Sequence, residues 1–274
     1  MATKYLAEGS TTFASPAWSG GALADTDDAI IEYPFDVVAT GLDQSGFTEG
    51  LESFWIKAGA TAGQIGGNGA GSFTVDIDNS SDAFFANDGN VTVYLKAGGD
   101  EGVINNAYIT NGANYFTGGT FTNVTVSRGV LNVNESTVVT NMVASGGSGT
   151  IEYNATAITS LVISGGVWTI RRAVTTLIVT GNALVYYDPN DSATISGTAI
   201  QTYGGRLIHI AGATPTITNR GGIHDFSQAR RAFTPGATSW TWFGTRFVDS
   251  PSVATTNRAP IYGAKQVEGG MIPL

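Results

Sequence analysis

A short phrase that recurs between about Phe121 and Phe226 constrains this chain more than any other feature. Each copy has two or three alternating apolar residues, a Ser or Thr, a glycine, and then a second short strand. The copies read Val124-Thr-Val-Ser-Arg-Gly-Val-Leu-Asn-Val133, Met142-Val-Ala-Ser-Gly-Gly147, Leu161-Val-Ile-Ser-Gly-Gly-Val-Trp-Thr-Ile170 and Leu177-Ile-Val-Thr-Gly-Asn-Ala-Leu-Val-Tyr-Tyr187, with a weaker one at Gln201-Thr-Tyr-Gly-Gly-Arg-Leu-Ile-His-Ile210. The anchoring hydroxyl residues are Ser127, Ser145, Ser164 and Thr180, at steps of 18, 19 and 16. A short, nearly fixed period points to a solenoid, in which one repeat is one coil that buries its apolar side only against its neighbours. No ten-residue window carries a 3.6-residue apolar stripe, so the coils are read as strands rather than helices.

The material on either side of the repeat is less regular. Residues 1–50 are turn-rich and suit a cap, because an open coil end exposes apolar core and unpaired strand edges. Ala29-Ile-Ile-Glu-Tyr33 is a strand that Pro34 ends or places at an edge. In residues 51–102, Ser53-Phe-Trp-Ile56, Ser72-Phe-Thr-Val-Asp-Ile77 and Asn90-Val-Thr-Val-Tyr-Leu95 are strands between glycine-rich loops. They fit either early irregular coils or a small sandwich. After Arg231 the chain changes character, with the aromatic run Ser239-Trp-Thr-Trp-Phe243 and then Pro251, Pro260 and Pro273. The expectation is an all-β chain: a short, β-helix-like solenoid over 51–228, a non-repetitive cap over 1–50 and an extended tail over 229–274.

Composition narrows the function. Apolar residues are 42% of the 274 and charged ones 13%, so a large core is available and Thr, Ser, Asn and Gly must carry solubility. Thirteen basic against 22 acidic residues give a net charge of −9, which disfavours a nucleic-acid backbone and an anionic membrane surface. With no cysteine, disulfides and thiolate metal sites are excluded. The first residues lack the apolar core of a secretory signal, and no apolar run reaches the ~20 residues that span a bilayer. Synthesis in a cytoplasm without a secretion address is expected.

The motifs that could carry chemistry have better structural readings. Gly66-Gly-Asn-Gly-Ala-Gly71 follows a calcium-binding glycine turn until Gly71 stands where a carboxylate is needed. Asp25, Asp27 and Asp28 lack the glycine and distal Glu of a calcium loop and read as a solvated turn before a strand. His224 and Asp225 are adjacent in a strand, so they face opposite ways and cannot act as a base and its orienting acid. His209 reads as a satisfied wall residue. Glu135 and Glu152, 17 residues apart, are the one pair that could stack as acid and base on adjacent coils, and solvated outward positions explain them equally well. No catalytic, cofactor-binding or metal residue is assigned, and the chain is expected not to be an enzyme.

Several phrases resemble a known family when taken together: Trp18-Ser-Gly-Gly21, Asp27-Asp-Ala-Ile-Ile31, Gly41-Leu-Asp-Gln-Ser45, Ala62-Gly-Gln-Ile-Gly66, the Ser/Thr-Gly-Gly ladder and Gly222-Ile-His-Asp-Phe-Ser227. Their order resembles the β-solenoid structural proteins of tailed bacteriophages. That resemblance implies a virion component, a homotrimer, made in the host cytoplasm. The reading adopted is a capsid decoration or cement protein, partnered by itself and the major capsid protein, with no cofactor, nucleic acid or membrane. Trp18, Trp240, Trp242 and Phe243 are the expected contact anchors, because aromatics dominate interface energetics. The alternatives are a tail fibre or tailspike module that binds or cleaves host surface glycans, and a bacterial adhesin.

Overall fold

The computed structural model describes residues 2–14, 17–43, 49–67, 71–78, 80–98, 102–134, 136–152, 155–172, 174–189, 199–210, 216–219, 221–225, 228, 240–242, 247–248, 264–267 and 270–273. The chain is all-β, a parallel β-solenoid of about six turns with no helix among the described residues. It forms two compact units, Met1–Met142 with Asn154–Thr156, and Val143–Tyr153 with Ala157–Leu274.

In the first unit, parallel pairing begins at Thr3–Tyr5, which lies against Asp28–Ile31. Asp28–Ile31 pairs with Ser53–Ile56, that strand with Phe84–Asn87, and that in turn with Val103–Ile109. Because side chains alternate along a strand, in-register pairing turns every second position into an inward column. One such column is Ala29, Phe54, Phe85, Ala107 and Val124, all at most 1% exposed. Residues 51–102 are therefore coils of the solenoid and not a sandwich. Their columns carry far more aromatic bulk than later ones. Phe54 packs against Phe13, Phe73 and Phe85 at centroid distances of 5.7, 4.9 and 6.2 Å. Replacing Phe54 by Ala removes the centre of that cluster and should lower unfolding stability by about 3 kcal/mol, read as a shift in the urea midpoint at constant slope.

Polar residues enter this interior only where they are satisfied. Asn87 and Asn114 are fully buried, and Asn87 Nδ2 donates to Asn114 Oδ1 at 2.8 Å and to the Val91 carbonyl at 3.3 Å. The same pairing rule makes an outward ladder on the other face. Asn141 Nδ2 donates to Asn123 Oδ1 at 3.3 Å, and Asn123 Nδ2 to Asn106 Oδ1 at 3.5 Å.

In the second unit, Ala157–Ile163 pairs with Val174–Val179, and Ser148–Ile151 with Val167–Ile170 and then Leu184–Tyr187. The inward columns are Leu161–Leu177 and Trp168–Val185–Leu207, every residue of which is 0% exposed. At Gly166 the glycine makes the corner between the two sheets and the next residue resumes the ladder, Val167 N donating to the Gly147 carbonyl; one coil on, Leu184, three residues after Gly181, donates from N to the Gly166 carbonyl. Trp240–Trp242 and Phe247–Val248, in the region expected to be a tail, add parallel strands to Thr216–Asn219 and Ile223–Asp225. The antiparallel pair Ala264–Val267 and Gly270–Pro273 follows.

Candidate functional site

The outer face of the first unit gathers aromatic residues that the sequence scatters. In the sheet just described, Tyr5, Ile30, Trp55, Ala86 and Tyr108 stand in one register row. Phe84 stands in the neighbouring outward row, beside Ser53. The Trp55 and Phe84 rings meet edge to face at 6.2 Å, and Phe84 and Tyr108 do the same at 6.1 Å. This is a favourable aromatic geometry, because a positive ring edge faces a negative ring face. Ala86, between Trp55 and Tyr108 in the row, is buried, and the Phe84 ring contacts the aromatics on both sides of it. Tyr5 and Tyr108 are 42% and 43% exposed.

Polar groups hold the rings in place. Trp55 Nε1 donates to Asp88 Oδ2 at 2.7 Å, and the Thr110 hydroxyl donates to Asp88 Oδ1. The Lys57 ammonium lies 5.1 Å from the Trp55 ring centroid and 2.5 Å from Glu32 Oε1. Its hydrogen bond to Glu32 and that carboxylate's charge raise the Lys57 pKa, against a smaller desolvation effect. The pair is part-exposed, so it positions the side chains more than it stabilises the fold. Asn106, two residues before Tyr108, donates from Nδ2 to the Ser81 and Ala83 carbonyls.

A second polar cluster lies inside the second unit. His224 continues the inward column after Leu207, and His209 continues the one after Tyr187. Both imidazoles are fully buried, with His209 Nε2 and His224 Nδ1 2.9 Å apart and His224 Nε2 2.7 Å from Thr202 Oγ1. The Tyr187 ring meets His209 edge to face at 6.2 Å. Desolvation drives both imidazoles toward the neutral form. It pushes His224 down to about 3 and, together with repulsion from His224, holds His209 well below its ordinary value. Burial raises the Tyr187 phenol above its ordinary range. Asp225, one residue on, faces the other way and accepts from Arg206 Nε at 3.1 Å. The histidine and aspartate are thus separated, as their adjacency requires.

The residues singled out from sequence fall as follows. Trp18, expected at an interface, is instead a core residue of its own unit. It is 2% exposed, donates from Nε1 to the Phe13 carbonyl at 2.9 Å and packs on Phe13 and Phe54. Trp240 stands in register with Ile217, Ile200, Leu177 and Leu161, and Trp242 with Asn219, Thr202, Val179 and Ile163. Phe243 and Glu135 lie outside the described residues.

The three aspartates do not converge. Asp27 is 5% exposed rather than solvated; it accepts from the Ala2 and Ala24 amides and pairs with Lys4 at 2.9 Å. Asp28 accepts from Ser53 Oγ at 2.7 Å, and Asp25 from the Glu49 and Gly50 amides at 3.3 Å. Glu152 pairs with Arg171 at 3.0 Å, a one-coil step within the second unit. The Gly66 turn is closed by a hydrogen bond from Gly67 N to the Gly71 carbonyl. Among the described residues no group of three or more His, Asp or Glu could hold a metal ion.

The aromatic face escaped sequence reading because its strands are unevenly spaced. Phe54, Phe85 and Ala107 are register neighbours at steps of 31 and 22, against 17 from Ala107 to Val124. One signal was available: Trp55, Phe84 and Tyr108 each have outward parity in a strand whose alternate positions are apolar. Comparison of the chain with protein-family models, with curated proteins and with solved structures gives no match in any of the three.

Proposed function

We propose that this chain is a structural, non-enzymatic component of a tailed-bacteriophage virion. In this reading it decorates and cements the capsid shell as a rigid surface projection, a homotrimer made in the host cytoplasm and seated on the major capsid protein. The observation that carries the proposal is the filling of the coils. In each unit successive inward columns are built from the chain's own side chains, and Phe54, Phe85, Phe121, Leu161, Trp168 and Leu177 are all 0% exposed. Close-packed interiors have low compressibility and transmit strain, which is what a projecting or cementing element requires. Three of the described ion pairs tie acids into the framework: Asp27 with Lys4, Glu152 with Arg171 and Asp225 with Arg206. The order of the Ser/Thr-Gly-Gly ladder and its flanking phrases, which resembles phage β-solenoid proteins, supplies the link to a virion.

Three measurements test this. Cryo-microscopy of the parent particle should show the chain on the outer shell, and particles lacking it should lose their contents at lower temperature or lower salt. Sedimentation should give a trimer. Density located on a tail tip, or shells equally robust without the chain, would refute the cementing role; a monomer at micromolar concentration would refute the trimer.

A further inference from the structure

The aromatic face of the first unit has a composition that coil stacking alone does not require. One outward row runs Thr3, Asp28, Ser53, Phe84 and Asn106, and the next holds Tyr5, Ile30, Trp55, Ala86 and Tyr108, so four aromatic rings share this face. We infer that this face binds a neutral oligosaccharide. The inference does not rest on the proposed place in a virion, since it uses only the geometry of the face.

Four features select that ligand class. Aromatic rings offer flat apolar surfaces to the C–H faces of sugar rings, and Tyr5 and Tyr108 are 42% and 43% exposed. The rings are already ordered, because Asp88 holds the Trp55 indole at 2.7 Å and Phe84 bridges Trp55 and Tyr108, so little side-chain entropy is lost on binding. Hydroxyl-binding groups stand beside them: the Asp88 carboxylate, the Thr110 hydroxyl and the Lys57–Glu32 pair. The charge is wrong for a polyanion. Lys57 is neutralised by Glu32, no basic side chain pairs with Asp28 or Asp88 among the described ion pairs, and the chain carries −9.

Size argues against a protein partner on this face alone. Five register positions span about 19 Å at ~4.8 Å per strand, and two outward rows stand ~7 Å apart. The two rows project over roughly 130 Å², too narrow a strip by itself for a standard protein interface of ~800 Å² per partner. It matches a short run of sugar rings, with Trp55 and Tyr108 two strands apart and the Phe84 ring between them.

The test is titration calorimetry of the full chain with cellohexaose, maltohexaose and chitohexaose. An array of neutral and acidic oligosaccharides built from hexoses and N-acetylhexosamines accompanies it. At least one neutral glycan should bind with a dissociation constant between about 10 μM and 1 mM. Tyr108→Ala should weaken it at least tenfold and Trp55→Ala should abolish it. Tyr115→Ala, which removes a half-buried ring stacked on Tyr94 in the other sheet of the unit, should leave it unchanged. If Trp55→Ala fails to fold, Tyr108→Ala alone decides. No binding across the neutral panel, preference for acidic glycans, or binding indifferent to Tyr108 overturns the inference. So does a loss of self-association in Tyr108→Ala without any loss of glycan binding.

Discussion

Acidifying the protein from pH 7 to pH 4.5 should cost on the order of 5 kcal/mol of folding stability, through the two buried histidines of the second unit. In the folded chain both titrate below their ordinary value, His224 at about 3 and His209 well below 6.5. In the unfolded chain both take a proton near pH 6.5. Above that pH neither state is protonated, and the contribution of the buried pair is fully present. Below it the unfolded state binds protons that the folded state refuses, so stability falls as pH falls. Each imidazole contributes a slope of up to about 1.4 kcal/mol per pH unit. The structural reason is the contact at 2.9 Å between His209 Nε2 and His224 Nδ1. In the neutral pair one nitrogen donates and the other accepts. Protonating both would set two N–H groups against each other and bury two charges. A typical domain has only about 5–15 kcal/mol to lose, so the second unit should open in mild acid. Urea midpoints at pH 7, 6 and 5 measure the slope. His224→Gln, which cannot take a proton, should reduce it by about half. A flat profile between pH 7 and 5 would contradict the burial of the pair.

The second large effect is expected at the corner of a coil. Gly166→Ala should destabilise the protein by about 4 kcal/mol or more. Gly166 has φ +80°, a left-handed conformation that L side chains rarely adopt, and an added Cβ would lie 2.0 Å from the Gly147 carbonyl oxygen. That oxygen accepts from Val167 N at 3.2 Å, so it cannot retreat without breaking a bond that ties successive coils. Gly20 separates strain from clash. Its φ is +76°, yet nothing lies within 4 Å of the added carbon, so Gly20→Ala should cost only the left-handed penalty of about 1–2 kcal/mol. Equal losses at the two positions, read from denaturant midpoints, would mean that the coils are not closely stacked at this corner.

These two cases show what the sequence can and cannot convey. The corner glycine was visible because every coil needs one, and the alignment of Ser164 with Thr180 in the repeat agrees with the register of Ile163 against Val179. The histidine pair was only half visible. Strand parity separates His224 from Asp225, but the partner His209 is 15 residues away and meets His224 only because adjacent inward columns run side by side. Trp18 misled for a related reason. A large aromatic in a turn-rich segment suggests an exposed anchor, whereas Phe13, five residues earlier, accepts its indole N–H and Phe54 from a later coil covers it. The aromatic outer face was hidden by long loops, which change the step between coils without changing the register they restore.

The central claim is that distant short strands lie parallel and in register, coil upon coil. Nuclear Overhauser contacts measured on the labelled chain test it most directly. They should place Leu177 beside Leu161, Asn123 beside Asn106 and Phe85 beside Phe54. All three pairs should show the staggered amide-to-α-proton pattern of parallel strands. Close α-proton to α-proton contacts between these strands, the mark of antiparallel pairing, would contradict it.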